Sequence, residues 1–280
     1  MRPGIRGILV YSAVCLLGMV ALGGAMKLAG LEMTGAGGAG VLAAMWIPAL
    51  ARAIAVRTVD RKFTAPFPIH RWGRPRAAVI VVPLVSVVVI YLTAYAASAL
   101  FGIARTTPRW QGAGKIASNL VVNLLLGSAI GLLGGMGEEL GWRGYLQPRL
   151  DQLRVPYSLL VTSVIETAYH LPFILWVGYL ESSSSAATIA LFFVLALGVT
   201  PVWTSATYAT RSIWTAAWFH ALHNVFSQTI VPRTLGAGDE LMLGESGIFP
   251  VATYLCAAAI VLFVLKFRWR DFAARHVNPA

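Results

Sequence analysis

Successive runs of about 20 apolar residues divide this chain and constrain its fold more than any other feature. A run of this length spans the hydrocarbon core of a bilayer as an α-helix, because a lone helix satisfies its own backbone hydrogen bonds there. Charged residues make up only 12% of the sequence, whereas a soluble domain carries about 25%. The sequence therefore predicts an all-α polytopic membrane protein with eight helices, at residues 8–26, 36–56, 77–103, 116–137, 157–180, 186–207, 212–231 and 249–267.

Basic residues set the predicted orientation. They concentrate in the connections that share one side of the membrane with the termini, and such an excess marks cytoplasmic loops. Both termini are therefore expected in the cytoplasm, and the net charge of +11 needs no nucleic-acid partner. The opposite side includes the segment 233–247, which is expected to be an outer loop without a role. The bases assigned to the cytoplasmic side include Arg57, Arg61, Lys62, Arg71, Arg74, Arg76, Arg143, Arg149, Arg154, Lys266, Arg268, Arg270 and Arg275.

A charged cluster, Glu138-Glu139-Leu140-Gly141-Trp142-Arg143, follows the fourth apolar run and is expected at the cytoplasmic end of that helix. An ionised side chain at a helix centre costs about 2.5–3.5 kcal/mol. Glu139 and Arg143 are four residues apart and face each other on a helix, whereas Glu138 is rotated about 100° away. The spacing predicts that Arg143 holds Glu139 and leaves Glu138 for proton transfer. The alternative is three ordinary charges at a helix end.

Polar residues on two later helices extend this cluster. The fifth predicted helix carries Glu166 and His170, which are four residues apart and share a face. The seventh carries His220 and Asn224 at the same spacing, with His223 within reach of their face. Taken singly, a histidine is equally well explained as a hydrogen-bond partner between helices. Together with the free carboxylate, the two sets are expected to line a cavity open to the cytoplasm.

A carboxylate and two imidazoles in a wet intramembrane cavity suit the activation of water. The carboxylate takes a proton from water, and an imidazole or amide donor stabilises the oxyanion formed on a carbonyl. The same groups, Glu138, His170 and His220, also offer the ligands of a divalent metal such as zinc, with one position left for water. The sequence has no His-Glu-x-x-His run. Both alternatives stay open on the residues alone.

Three motifs in order resemble those of the CPBP family, the CAAX protease and bacteriocin-processing intramembrane endopeptidases that include the type II CAAX prenyl proteases. The resemblance covers about residues 116–232, and the flanking helices carry no motif. The motifs are Glu138-Glu139-x-x-x-Arg143, His170 in His-Leu-Pro, and His220-x-x-x-Asn224.

The resemblance implies a division of roles among these residues. Glu138 would activate the water, with His170 assisting, and His220 with Asn224 would form the oxyanion site. The remaining acid and the arginine of the first motif would organise it. One position departs from the family, because Glu166 stands where a phenylalanine often precedes the second-motif histidine. This carboxylate would either raise the pKa of His170 or ligate a metal, or it would hydrogen-bond a threonine or tyrosine on a neighbouring helix.

The predicted function is hydrolysis of a peptide bond in a membrane-associated substrate by glutamate-activated water. The reaction is expected to need no metal, and a zinc-dependent reaction is the alternative. Two alternatives use the same scaffold: a non-proteolytic regulator or bacteriocin self-immunity protein, and a proton-coupled transporter with Glu and His as its relay. The expected partners are the bilayer and a peptide substrate. Residues 1–280 are expected to form a single transmembrane domain, in the inner membrane of a bacterium, with the active site facing the cytoplasm.

Overall fold

A computed structural model describes residues 3–33, 35–103, 113–180, 186–231 and 240–264, which form helices joined by short connections and contain no strand. Seven helices are long and apolar enough to cross a bilayer. The prediction of an all-α polytopic membrane protein is therefore confirmed. The bases predicted after the last helix, between 266 and 275, and much of the loop predicted at 233–247 lie outside the described residues. The seven helices are Pro3–Leu28, Gly38–Thr58, Ala78–Leu100, Leu120–Gln152, Ser158–Trp176, Ala186–Thr210 and Leu241–Phe263.

One long helix consists of three α-helical pieces joined by two wider π-helical turns, and two further π-helical turns follow other helices. Such turns occur often at functional sites. The α-helices are α1 (Pro3–Leu28), α2 (Gly38–Thr58), α3 (Ala78–Leu100), α4 (Ala113–Val122), α5 (Ser128–Gly141), α6 (Gln147–Gln152), α7 (Ser158–Trp176), α8 (Ala186–Thr210), α9 (Ile213–Val225), α10 (Glu240–Leu243) and α11 (Ile248–Ala259). The π-helical turns are Asn123–Gly127, Trp142–Leu146, Phe226–Ile230 and Ile260–Val264, and a short 3-10 turn, Gly35–Gly37, precedes α2.

The fourth predicted helix is longer than the sequence indicated. It was expected to end at residue 137, but α5 continues through the turn Trp142–Leu146 into α6, which ends at Gln152. An apolar-length criterion stops at the first charges, whereas these charges are paired inside the protein and do not end the helix. Arg143 and Arg149, predicted as loop bases, therefore lie on this helix. The prediction was wrong for both, and Arg143 is fully buried.

The seventh predicted helix, 212–231, is present as α9 and its π-helical turn, although it is not among the seven apolar spans. Ten of the 13 residues of α9 are buried, and it packs against α3, α5 and α8. Protein rather than lipid surrounds this helix, so it accommodates histidine and asparagine that a lipid-facing helix would expose at high cost.

A stripe of glycines brings α5 close to α9. Gly127, Gly131 and Gly135 follow at intervals of four residues on one face. A Cβ atom at Gly131 would lie 3.2 Å from the Cα of Ala221, and one at Gly135 would lie 3.0 Å from the Cβ of His220. Small residues allow this approach of membrane helices. The stripe thereby places His220 beside the carboxylates that follow one turn later on α5.

Candidate active site

Glu138 lies at the meeting point of the three motif helices. Its side chain is 4% exposed, and Trp142 donates a hydrogen bond from Nε1 to Oε2 over 3.1 Å. His170 places Nε2 3.7 Å from Oε2, and His220 places Nε2 3.8 Å from Oε1. Both separations exceed a direct hydrogen bond. The structure therefore brings together the carboxylate and the two histidines that the sequence placed on three different helices.

Glu139 and Arg143 form the predicted pair, and the structure adds a second carboxylate to it. Arg143 Nη1 donates to Glu139 Oε1 over 3.1 Å and to Glu166 Oε1 over 2.9 Å. Both groups of the predicted pair are fully buried. Thr200 on α8 lies 3.4 Å from the other oxygen of Glu166. Of the two interpretations left open for Glu166, the geometry agrees with hydrogen bonding to a neighbouring helix, together with an ion pair that spacing did not reveal.

The Nδ1 atom of each motif histidine, which faces away from Glu138, has a defined partner. His170 Nδ1 donates to the backbone carbonyl of Glu166 over 2.7 Å, because a carbonyl oxygen only accepts. His220 Nδ1 lies 3.0 Å from Glu139 Oε1, an acceptor when ionised. These contacts fix the orientation of both rings. They also turn both Nε2 atoms towards Glu138.

The site contains more acidic than basic groups. Glu139 and Glu166 both accept from the guanidinium of Arg143, and a third carboxylate, Glu138, lies beside the two histidines. Within the described residues, Glu139 Oε2 and two of the guanidinium nitrogens have no hydrogen-bond partner. Isolated buried charge is costly. Protons on these side chains would offset the excess negative charge, and groups in such clusters often exchange protons.

A cavity of about 50 Å³ adjoins this cluster. A water molecule occupies roughly 30 Å³ in the liquid, so the cavity has room for the reacting water. Glu138 is not among the lining residues, but both histidines that face it are. The apolar wall comes from Phe192, Leu195, Val199 and Trp203, and the polar lining from Glu166, His170, His220, His223, Asn224 and Glu245.

The depth of the site differs from the prediction. Glu138 and Glu139 were expected at a helix end, but Glu138 lies 14 residues before Gln152, about 20 Å along a helix. The expected position at the helix end is wrong, because the pairing of these charges lets the helix continue. The cavity extends to Tyr179 and Glu245, which lie beyond the end of α7 and before α11. Which side of the membrane the site faces stays a prediction.

A second polar group on the cavity wall was not predicted. His223 Nδ1 lies 2.9 Å from the hydroxyl of Tyr254 and 3.2 Å from that of Tyr91. Its Nε2 lies 3.4 Å from Glu245 Oε1. The sequence marked His223 as within reach of the site and placed Glu245 in a loop without a role. The only sequence signal for Glu245 is a lone acid between glycines ahead of the last apolar run.

A metal centre was the alternative interpretation of Glu138, His170 and His220. In the part of the chain that the structure describes, no three His, Cys, Asp or Glu side chains have the arrangement of metal ligands. The residues in this arrangement do not fit a metal ion, and no step of the chemistry is assigned to one.

Comparison with protein families matches residues 119–226 to the Rce1-like family, described as type II CAAX prenyl endopeptidase Rce1-like. This segment is similar to that family, in agreement with the resemblance seen in the three motifs. It holds all of the motif residues, which lie on α5, in the turn Trp142–Leu146, and on α7 and α9. Glu245 lies outside it. No curated protein matches the chain.

Proposed function

We propose that the protein is an intramembrane endopeptidase that hydrolyses a peptide bond in a membrane-associated substrate, with Glu138 as the general base. The observation that carries the proposal is the placement of its buried carboxylate between the Nε2 atoms of His170 and His220, beside a cavity with room for water. A carboxylate so placed takes a proton from water and directs the oxygen at a carbonyl carbon. The similarity of residues 119–226 to a prenyl endopeptidase family supports the same reaction class.

The proposed reaction proceeds in two steps. Glu138 accepts a proton from water as the oxygen bonds to the carbonyl carbon, and the carbonyl becomes an oxyanion. The amide of Asn224 and the Nε2–H of His220 hold this oxyanion, with the His220 ring protonated on both nitrogens because Nδ1 donates to Glu139. The bond between carbon and nitrogen then breaks, and Glu138 passes its proton to the leaving amine. His170 orients the water through Nε2, since its Nδ1 hydrogen is held by the carbonyl of Glu166. No metal takes part in this reaction.

We also propose an orientation in the membrane. The exposed bases Arg57, Arg61, Arg74 and Arg76 lie in and beside the connection between α2 and α3, and the excess of bases at this end supports a cytoplasmic location. In this orientation both termini and the connection between α6 and α7 are cytoplasmic. We further propose that the protein lies in the inner membrane of a bacterium and that its substrate is a peptide.

The decisive experiment is Glu138→Gln, measured with lipid-anchored, fluorescence-quenched peptide libraries in detergent and in proteoliposomes. Loss of the general base should lower kcat by about 10²–10⁴-fold. The variant should stay folded and monodisperse, because glutamine still accepts the hydrogen bond from Trp142. Glu32→Gln, which makes the same change at an exposed position, is the matched control. Equal turnover by Glu138→Gln and wild type, or no hydrolysis of any peptide by wild type, contradicts the proposal.

A further inference from the structure

Glu245 gathers contacts from three parts of the chain at the end of the cavity. Its side chain is 10% exposed. The hydroxyl of Tyr179 donates to Oε1 over 3.1 Å, and Gln228 Nε2 donates to Oε2 over 3.1 Å. His223 Nε2 lies 3.4 Å from Oε1. These partners come from the segment after α7, from the turn after α9 and from α9 itself, so one carboxylate joins both histidine-bearing helices.

The first connection leads to His170. The ring of Tyr179 lies 5.6 Å from the ring of His170, and Phe192 packs against both rings at 5.8 Å and 5.5 Å. The hydrogen bond to Glu245 fixes where the Tyr179 ring stands. Aromatic contacts of this kind set ring orientation. Glu245 therefore acts on the second-motif histidine through a single intervening side chain.

The second connection leads to His220. His223 follows it by three residues on α9, and both rings pack on Trp203, at 5.5 Å and 5.6 Å. A tyrosine hydroxyl that donates to Nδ1 of His223 leaves Nε2 as the donor to Glu245. Tyr91 and Tyr254 supply such hydroxyls from α3 and α11. The contact between His223 and Glu245 thus fixes the rotation of α9 at the turn that carries the third motif.

We propose that Glu245 is a positioning residue of the active site, which holds His170 through Tyr179 and His220 through His223. It belongs to no motif and lies outside the Rce1-like segment. The expected loss of kcat rests on the proposed peptidase function. The expected displacement of the histidines does not depend on activity. Glu245 itself does not touch the reacting atoms.

The kinetic test compares Glu245→Ala and Glu245→Gln with wild type and with Glu32→Ala, an exposed acid of equal charge. A displaced histidine should lower kcat of Glu245→Ala by about 10- to 100-fold, with KM little changed. Glu245→Gln keeps an acceptor for Tyr179 and should recover part of the loss. A double-mutant cycle with Tyr179→Phe should be non-additive, because both changes break one connection. Unchanged kcat, or a loss of activity that a smaller folded fraction fully explains, overturns the proposal.

A chemical test needs no turnover. Diethyl pyrocarbonate modifies accessible imidazoles, and mass spectrometry reports each histidine separately, with the exposed His70 as the internal reference. Glu245→Ala should accelerate modification of His170 and His223 relative to His70 severalfold, and Glu32→Ala should not. If wild type hydrolyses no peptide, the proposed function fails while this readout still decides the positioning role. Unchanged rates at both histidines refute it.

Discussion

Two arginines on the same long helix, the buried Arg143 and the half-buried Arg149, belong to networks that balance charge differently. Arg149 pairs with one carboxylate, with Nη2 2.5 Å from Asp60 Oδ1, and Tyr145 donates to the other oxygen of Asp60 over 3.0 Å. Arg143, about one and a half turns earlier, pairs with two carboxylates, Glu139 and Glu166. We call the first group the end clamp (Asp60, Tyr145, Arg149) and the second the site cluster (Glu138, Glu139, Arg143, Glu166, His170, His220).

The two networks differ in how their charges are balanced. The end clamp balances one charge with one, and it ties the connection after α2 to the turn Trp142–Leu146. The site cluster keeps an excess of carboxylates in the interior, where uncompensated charge is costly. Groups held in such a state are frequently those that exchange protons. Surplus negative charge, rather than burial alone, therefore distinguishes the proposed active site from the end clamp.

The largest effect is expected from Arg143→Leu. Removing the guanidinium leaves Glu139 and Glu166 unpaired, which should cost about 3–5 kcal/mol of unfolding free energy and abolish turnover. Arg149→Leu removes an equally large side chain from the end clamp and is the matched variant. It should lower stability while its folded fraction keeps near wild-type kcat. Equal inactivation by both variants, measured by unfolding and turnover in detergent, would break the comparison.

Gly135→Val tests the close approach that builds the site cluster. A Cβ at this position already comes within 3.0 Å of His220, so the larger side chain should push α9 away. A displacement of about 1 Å would lower kcat by about 10²-fold. Gly38→Ala, at a position with no atom near the added Cβ, should leave turnover unchanged. Wild-type kinetics in Gly135→Val would show that the approach of α5 and α9 does not position the histidine.

Replacing one carboxylate in each network should lower kcat in one variant and stability in the other, both by smaller amounts. Glu166→Gln removes a charge from the site cluster while Arg143 keeps Glu139, so kcat should fall about tenfold and stability little. Asp60→Asn removes the only carboxylate of the end clamp and should cost about 1–3 kcal/mol of stability. Its folded fraction should retain wild-type kcat. Matched kinetic and unfolding measurements on the two variants decide whether function and stability separate in this way.

Chelation should have the smallest effect. If protons alone balance the carboxylates of the site cluster, prolonged treatment with EDTA or 1,10-phenanthroline should leave turnover unchanged. Elemental analysis of the purified protein should then find no stoichiometric divalent metal. A bound ion whose removal stops hydrolysis and whose return restores it would instead make the surplus a ligand set, and would sharpen the contrast with the end clamp.

Helical spacing predicted those parts of the site that depend on a single helix. Glu139 and Arg143 pair as their separation of four residues requires. The ion pair between Arg143 and Glu166 joins residues 23 positions apart, and no local period reports such a contact. Glu245 was missed for the same reason, since its link to His223 depends on where the connection before α11 folds back. The length of the fourth helix was underestimated because burial of charge is a tertiary property.

The apolar runs by themselves determined an all-helical membrane protein, since only helices and closed barrels satisfy the backbone within lipid. The motifs identified the candidate site residues, and helical geometry determined which of them share a face. The tertiary structure alone decided that α5 and α9 approach along a glycine stripe, that Arg143 serves two carboxylates, and that the cavity extends towards Glu245. Those contacts depend on how separate helices pack, and the local periodicity of one helix carries no information about its neighbour.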